Sequence, residues 1–330
     1  MKHKVLETIK KYNLIENGDK LVFGVSGGPD SMAMLAILNE IKKDETINLN
    51  FKIMVAHMNH MIRKEAKQEE AYVKEYCKKN KIEFYSKSID VQKFANNNKI
   101  GLEEAGRIVR YEFFDEILER QNANKIAIAH NKNDKVETLI MNAMRGSGIS
   151  GLKGMEGKRG KYIRPLIECE RFEIEKYCEE QKLNPRIDQT NFENQYTRNK
   201  IRNIVIPYIK QEFNPNIIST LNRLAELVSE EEKYIEKQVI KAYDSLLLEE
   251  EAKKIVFDLK RFNAQEKVIK SRLVLYTITR LFGNSKGIEK IHIEDIIKLC
   301  HNNIGNKFLM PNQKIKVLVK NRKIYFLRQA

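Results

Sequence analysis

The chain has 330 residues, 42% of them hydrophobic and 32% charged, with 60 Lys and Arg against 45 Asp and Glu for a formal charge of +15. That length accommodates two domains with separate cores, and the composition is that of a folded globular chain rather than a disordered or fibrous one. No apolar run reaches membrane-spanning length and the N-terminus is charged throughout, so no spanning helix is expected, a cytoplasmic address is expected, and the basic excess favours a polyanionic partner.

Over the first two hundred residues strand-like and helical stretches alternate. KLVFGV, from Lys20, precedes a helical run from Ser31 to Ile41, and NFKIMVAHMNH precedes one from Glu65 to Lys79. KIEFYSKSI then leads to Leu102–Glu119, and NKIAIAH to Asp134–Arg145. The strand-like runs are rich in β-branched and aromatic residues and contain no proline. This alternation predicts an α/β fold, a parallel sheet with helices on both faces and ligands bound beyond the carboxyl ends of its strands. From Ile201 the pattern changes: IRNIVIPYIKQEFNPN carries two prolines, and helical stretches follow at Ile217–Glu251, Ala264–Phe282 and Ile288–His301. Two strand-like runs, KIKVLVKN and KIYFLR, close the chain. The boundary is expected after residue 213, giving domains 1–213 and 214–330, the second mostly helical. Cys77, Cys169, Cys178 and Cys300 form no CxxC pair, which speaks against a zinc ribbon or a dithiol redox site.

Between the first strand and its helix lies SGGPDS, residues 26–31. Ser26, Gly27 and Gly28 let the backbone turn with its N–H groups inward, Pro29 suits the first helical position, and Asp30 and Ser31 suit a helix start. Together they predict an anion nest at a helix N-terminus. Neither a Walker A loop nor a Rossmann fingerprint is present, so the cations must come from elsewhere in the chain. The string resembles the SGGxDS loop of the PP-loop ATP pyrophosphatases, whose members cleave ATP to AMP and pyrophosphate.

Gly146, Gly148 and Gly151 match G-x-G-x-x-G, but a helical run precedes them and more glycine follows, so a dinucleotide site is rejected. A basic loop from Lys153 to Arg164 is expected instead, able to close over a substrate. The longer string AHNKNDKVETLIMNAMRGSGISGLKGM resembles the AHHxxDQxET…RGSG…GL.GM segment of the tRNA(Ile)-lysidine synthetases. AHMNHMIR, with Ala56, His57 and Arg63, corresponds to their VDHGLR-like string. GLEEAGRIVRYEFF, YIRPLIECERFEIEKY and IDQTNFENQYTRNKIRNIVIP correspond to later segments in the same order. The resemblance is dense from about residue 20 to 210 and weaker to the end; longer members of that family carry a further C-terminal domain.

That resemblance implies a two-step reaction and a set of site residues. ATP, with Mg²⁺, would adenylate O2 of the wobble cytidine of an isoleucine tRNA with a CAU anticodon, and free L-lysine would displace AMP. Ser26, Gly27, Gly28, Pro29, Asp30 and Ser31 would hold the nucleotide, with Ala56 and His57 beside them. Arg110 or Arg202 would be the cation at the α-phosphate, with Arg107, Arg145 and Arg198 as second choices. Asp134 and Glu137 share a helix face and would hold the lysine ammonium, although an acidic first turn also caps a helix. The amine must lose a proton, at a cost of roughly 4–5 kcal/mol at neutral pH; Asp30 and Asp134 are both candidate bases. His130 and His57 close two strands at the ligand edge, while His3, His60, His292 and His301 are expected at surface or structural positions. The second domain and the Lys153–Arg164 loop would meet tRNA phosphates, the resemblance also points to a homodimer, and the metal's side chains are left open. Two other readings stay in play: a tRNA thiolation enzyme of the same superfamily, disfavoured by the missing CxxC, and a non-catalytic RNA-binding protein.

Overall fold

A computed structural model describes residues 1–61, 66–186, 196–285, 287–302 and 307–329. By compactness the chain divides into two units, 1–228 and 229–330.

The first unit runs α1 (Lys2–Tyr12), β1 (Lys20–Gly24), α2 (Pro29–Lys43), β2 (Lys52–Asn59), α3 (Ala66–Lys79), β3 (Glu83–Ser88), α4 (Val91–Asn98), α5 (Leu102–Arg120), β4 (Lys125–Ile128) and α6 (Lys132–Met144). It continues through the single turn α7 (Ile149–Leu152), the short hairpin β5 (Lys158–Arg159) and β6 (Tyr162–Ile163), α8 (Arg171–Glu180) and α9 (Thr197–Lys200). A π-helical turn at Ile201–Val205 joins α9 to α10 (Ile206–Glu212), and α11 (Ile217–Leu246) begins here. Pro207, within the first turn of α10, cannot donate to the preceding turn, and the wider π turn ahead of it lets the helical path continue past it.

The sheet order is β3-β2-β1-β4-β6-β5, parallel except for the β5–β6 hairpin. Side chains along β1 alternate across the sheet, as the two-residue strand period requires. Leu21, Phe23 and Val25 join a core with α1, α2 and α8, whereas Val22 joins one with Met54, Phe113 and Phe114. Because β2 and β4 flank β1 on opposite sides, the chain reverses its winding between β1 and β4. Loops leaving those two strands therefore open into one crevice, where such sheets bind ligands.

Two expectations need correction. The basic Lys153–Arg164 segment is not a free closing loop: it supplies the hairpin that ends the sheet, turning at Gly160 (φ 57°). Nor is the second unit simply helical. Around the end of α11, α12 (Leu259–Asn263), α13 (Lys267–Phe282) and α14 (Lys290–Asn302) it folds a five-stranded antiparallel sheet. Its strands are β7 (Leu247–Glu251), β8 (Lys254–Asp258), β9 (Lys307–Asn312), β10 (Ile315–Lys320) and β11 (Lys323–Arg328), in the order β7-β8-β11-β10-β9. LLLEEE continues the helical pattern of α11 in sequence but is drawn into the β7–β8 hairpin, a tertiary pairing that overrides local preference. Among the described residues no helix is long and apolar enough to cross a membrane.

Candidate active site

The crevice is built from the loop after β1 and the loop after β4. Gly27 sits at φ 92°, the left-handed region. The turn it makes aims the Ser26 and Gly27 N–H groups at one point, which the Ser31 hydroxyl occupies at 3.2 Å from each nitrogen. The expected nest is formed, but with a weak, neutral acceptor of its own at the focus; an anion there would make shorter, charge-assisted bonds. Gly28 is the N-cap of α2 with no side-chain cap, Pro29 opens the helix, and its first-turn N–H groups face the same side. Gly27→Ala forces a Cβ into the left-handed region, and a urea titration is expected to register a loss of about 1–2 kcal/mol.

Asp30 follows in the first turn of α2. Its Oδ1 accepts from Asn131 Nδ2 at 2.8 Å, and Arg171 lies 3.9 Å from Oδ2. Burial, reinforced by the nearby Asp134 charge, pushes the Asp30 carboxyl up to about 6. Asn131 is the N-cap of α6. Its side chain accepts the Asp134 N–H and its own N–H donates to Asp134 Oδ2, each at 3.0 Å, a reciprocal capping box. One buried amide thereby fixes Asp30 relative to Asp134.

Asp134 and Glu137, one turn of α6 apart, face Arg198 of α9 and Arg202 of the π turn. Arg198 donates to Glu137 Oε2 at 2.8 Å and Asp134 Oδ1 at 3.0 Å. Arg202 donates to Glu137 Oε1 at 2.6 Å, Glu137 Oε2 at 2.8 Å and Asp134 Oδ1 at 2.9 Å. Glu137 is 1% exposed and Asp134 is buried. Burial alone would raise the Asp134 carboxyl, but Arg198, His130 and Arg202, helped by the Asn131 N–H, hold it below the ordinary carboxylate range. Of the two sequence readings of this acidic pair, the capping one is formed at Asp134, whose other oxygen binds the two guanidiniums. These carboxylates are not waiting open for an ammonium: both arginines already fill them.

His130, at the end of the β4 loop, accepts from Arg164 Nε at 3.2 Å through Nδ1, and burial pushes it down to about 4, so it is neutral at ordinary pH. Arg110 bonds His60 at 3.1 Å and its charge reaches His130, placing it on the rim of the crevice. Of the other expected residues, Ala56 and His57 lie beside the start of the phosphate turn, where the Val25 N–H donates to the Ala56 carbonyl at 3.1 Å. Ala56 is fully buried in β2. His57 is 2% exposed with Nδ1 2.9 Å from the Val25 carbonyl, so it braces the strand that leads into the phosphate turn. Arg107 sits over the Tyr111 ring, and Arg145 is exposed at the end of α6. Arg63 and residues 187–195 lie outside the described residues. Asn131, Arg164 and Arg171 belong to the cluster without having been singled out; all three fall inside the AHNKNDKVET and YIRPLIECER strings, and only packing distinguishes them from their neighbours.

The four cysteines are free and buried, with burial pushing Cys77, Cys169 and Cys300 up to about 12 and Cys178 to about 11. Thiols so placed do not suit sulfur transfer, which needs an accessible thiolate.

Comparison with known proteins identifies the family. A family model described as a PP-loop domain matches residues 1–209. The chain is 44% identical over 320 residues to the tRNA(Ile)-lysidine synthase of Clostridium tetani, covering 95% of this chain and 66% of that protein. It is also 44% identical over 323 residues to the protein of the same name from Clostridioides difficile, covering 97% and 69%. The chain thus spans about two thirds of the length of the curated relatives it matches. Among solved structures, the U34-tRNA thiolase NcsA from Methanococcus maripaludis aligns with a TM-score of 0.56 at 19% identity, over 69% of this chain and 78% of that one, a likeness of fold alone. With the match spanning both units and the site strings inside it, this chain belongs to the tRNA(Ile)-lysidine synthase family of PP-loop proteins.

Proposed function

We propose that this chain ligates L-lysine to C2 of the wobble cytidine of a CAU-anticodon isoleucine tRNA, at the expense of ATP. The observation that carries the reading is the junction at Asn131, which ties the glycine turn and first turn of α2 to the acidic start of α6. In the first step the N–H groups of Ser26, Gly27, Gly28, Asp30 and Ser31 hold the pyrophosphate portion of ATP. Arg110 and Arg202 supply positive charge toward the α-phosphate, where charge builds as cytidine O2 attacks. Among the described residues no three His, Cys, Asp or Glu side chains converge on a metal position. Asp30, in the first turn of α2, is the carboxylate that would hold a Mg²⁺ brought in on the nucleotide, which would supply charge neutralisation on the phosphates.

In the second step the lysine ammonium takes places on Asp134 and Glu137. Since Arg198 and Arg202 hold those oxygens beforehand, one guanidinium has to turn away first, and the phosphate is the natural destination for Arg202. Nucleotide and lysine binding are then coupled, with ATP favouring lysine. Of the two candidate bases, Asp30 is the stronger, because its carboxyl is raised while that of Asp134 is lowered. Once pyrophosphate has left, Asp30 is free to take the amine proton.

Incubation with ATP, labelled lysine and bulk tRNA tests this reading. Label should enter the CAU isoleucine tRNA alone; incorporation without tRNA selectivity overturns the anticodon assignment, and no lysine label with sulfur uptake instead points to the thiolation alternative. A +15 chain docking on RNA should also lose affinity steeply with salt, with a log–log slope of about −0.7 to −0.9 for each phosphate neutralised.

A further inference from the structure

We propose that His130 distinguishes the wobble cytosine from uracil, and that Arg164 sets it for that task by holding the imidazole in one tautomer. The role rests on a wobble pyrimidine entering the crevice, as in the reaction proposed above.

His130 lies between β4 and the Asn131 cap of α6, on the loop that opens into the crevice. Arg164 reaches it from just past β6, near the edge of the sheet. Its backbone N–H donates to the Gly157 carbonyl at 2.8 Å, its Nη1 to the Glu156 carbonyl at 2.8 Å, and its Nε to His130 Nδ1 at 3.2 Å. A guanidinium donates and never accepts, so the ring nitrogen facing it carries the lone pair. The proton of the neutral ring therefore sits on Nε2. Moving it to Nδ1 would set N–H against N–H and forfeit a charge-assisted bond, a bias of about tenfold to a hundredfold against that form. Nor does the ring take a second proton. Burial, joined by the Arg164, Arg198 and Arg110 charges, outweighs the opposing pull of Asp134 and keeps the imidazole neutral.

What remains is one N–H in a fixed position. Nε2 has no hydrogen-bond partner among the described residues, and it is not sealed from solvent. Asp134, one of the two carboxylates offered to lysine, is close enough for its charge to act on the ring. Lysine attacks C2 of the base, which is bonded directly to N3 and O2. A pyrimidine presented to an amine on Asp134 thus brings its N3 edge toward His130. Cytosine N3 carries a lone pair and accepts from Nε2–H. Uracil N3 carries a hydrogen, and two donors would face each other. A histidine free to exchange tautomers would accommodate either base; Arg164 removes that freedom. A phosphate is the poorer partner for this neutral N–H, because Arg110 and Arg202 offer it charge-assisted bonds.

Two measurements on the full chain test the assignment. ¹⁵N NMR of histidine-labelled protein should show His130 protonated at Nε2 and bare at Nδ1 across about pH 5 to 8. Filter binding then compares two isoleucine tRNA transcripts that differ only at the wobble base, CAU and UAU. The parent chain should bind CAU about tenfold to a hundredfold more tightly. Arg164→Lys, still a donor only, should keep that ratio. Arg164→Gln, whose amide can donate or accept, should bring the two transcripts within about threefold and leave His130 as a mixture of tautomers. A merely structural loss would weaken both transcripts alike. The NMR measurement on the parent needs no variant, so it decides whether or not Arg164→Gln folds. The proposal is overturned if His130 carries its proton on Nδ1 or on both nitrogens, if the parent binds the transcripts equally, or if Arg164→Gln keeps the parent ratio. Neither measurement reads lysine transfer, so a chain that selects cytosine without transferring lysine would fail the proposed reaction and keep this inference.

Discussion

Asp30→Asn is expected to abolish lysine transfer while making the free protein more stable. The two effects share one cause. Burial and the Asp134 charge raise the Asp30 carboxyl from an ordinary 3.8 to about 6, so the folded chain holds that proton more tightly than the unfolded chain does. The resulting penalty is absent below pH 4, grows between about 4 and 6, and is fully present above 6. At about 1.36 kcal/mol per pH unit it amounts to about 2–3 kcal/mol at pH 7.5. Asparagine keeps an oxygen for the Asn131 amide and carries no charge, so urea titrations should find the variant more stable by about that much at pH 7.5 and unchanged at pH 4. Lysine transfer should fall by about 10²–10⁴-fold, the usual range for a lost general base. In the parent chain the same step should decline as pH drops through about 6, where Asp30 takes up its proton. A variant with full turnover, or one destabilised at neutral pH, contradicts the assignment.

The second large effect lies in the arginine–carboxylate tetrad. Glu137→Ala removes the acceptor for both Nε groups, Arg198 and Arg202, and leaves two largely buried guanidiniums sharing Asp134 alone. Breaking a buried pair from one side costs about 3–5 kcal/mol, and a denaturation midpoint should register it. Removing Arg202 as well, as Met, should restore part of the loss, because the uncompensated charge goes with it. A double-mutant cycle is therefore expected to give at least about 1 kcal/mol of coupling. Additive losses, or a single-variant cost below about 1 kcal/mol, mean that the tetrad is not made in solution.

How far the sequence carried can be traced through particular residues. The parallel sheet was legible because four apolar runs alternated with helical periodicity, and SGGPDS was legible because its chemistry is local: a left-handed turn, a proline at the first helical position and small polar side chains. Asp134 and Glu137 were legible as a pair from their spacing. Their occupation by Arg198 and Arg202 was not, since it depends on how the segment around Pro207 returns to α6, a contact spanning more than 60 positions that leaves no mark on local pattern. Asn131 escaped for a related reason: in sequence it is one polar loop residue among several, and only packing makes it the link between two helix starts. The second sheet was half legible. β10 and β11 alternate in the two-residue period and announce themselves, whereas β7 looks like the tail of α11 until β8 pairs with it.

A crystal structure of the chain with a non-hydrolysable ATP analogue bears most directly on the whole account. It should place the β- and γ-phosphates against the N–H groups of Ser26 and Gly27, with the Ser31 hydroxyl displaced from between them and Asp30 beside the phosphates. Phosphates bound elsewhere, with Ser31 still accepting from both nitrogens, would contradict it.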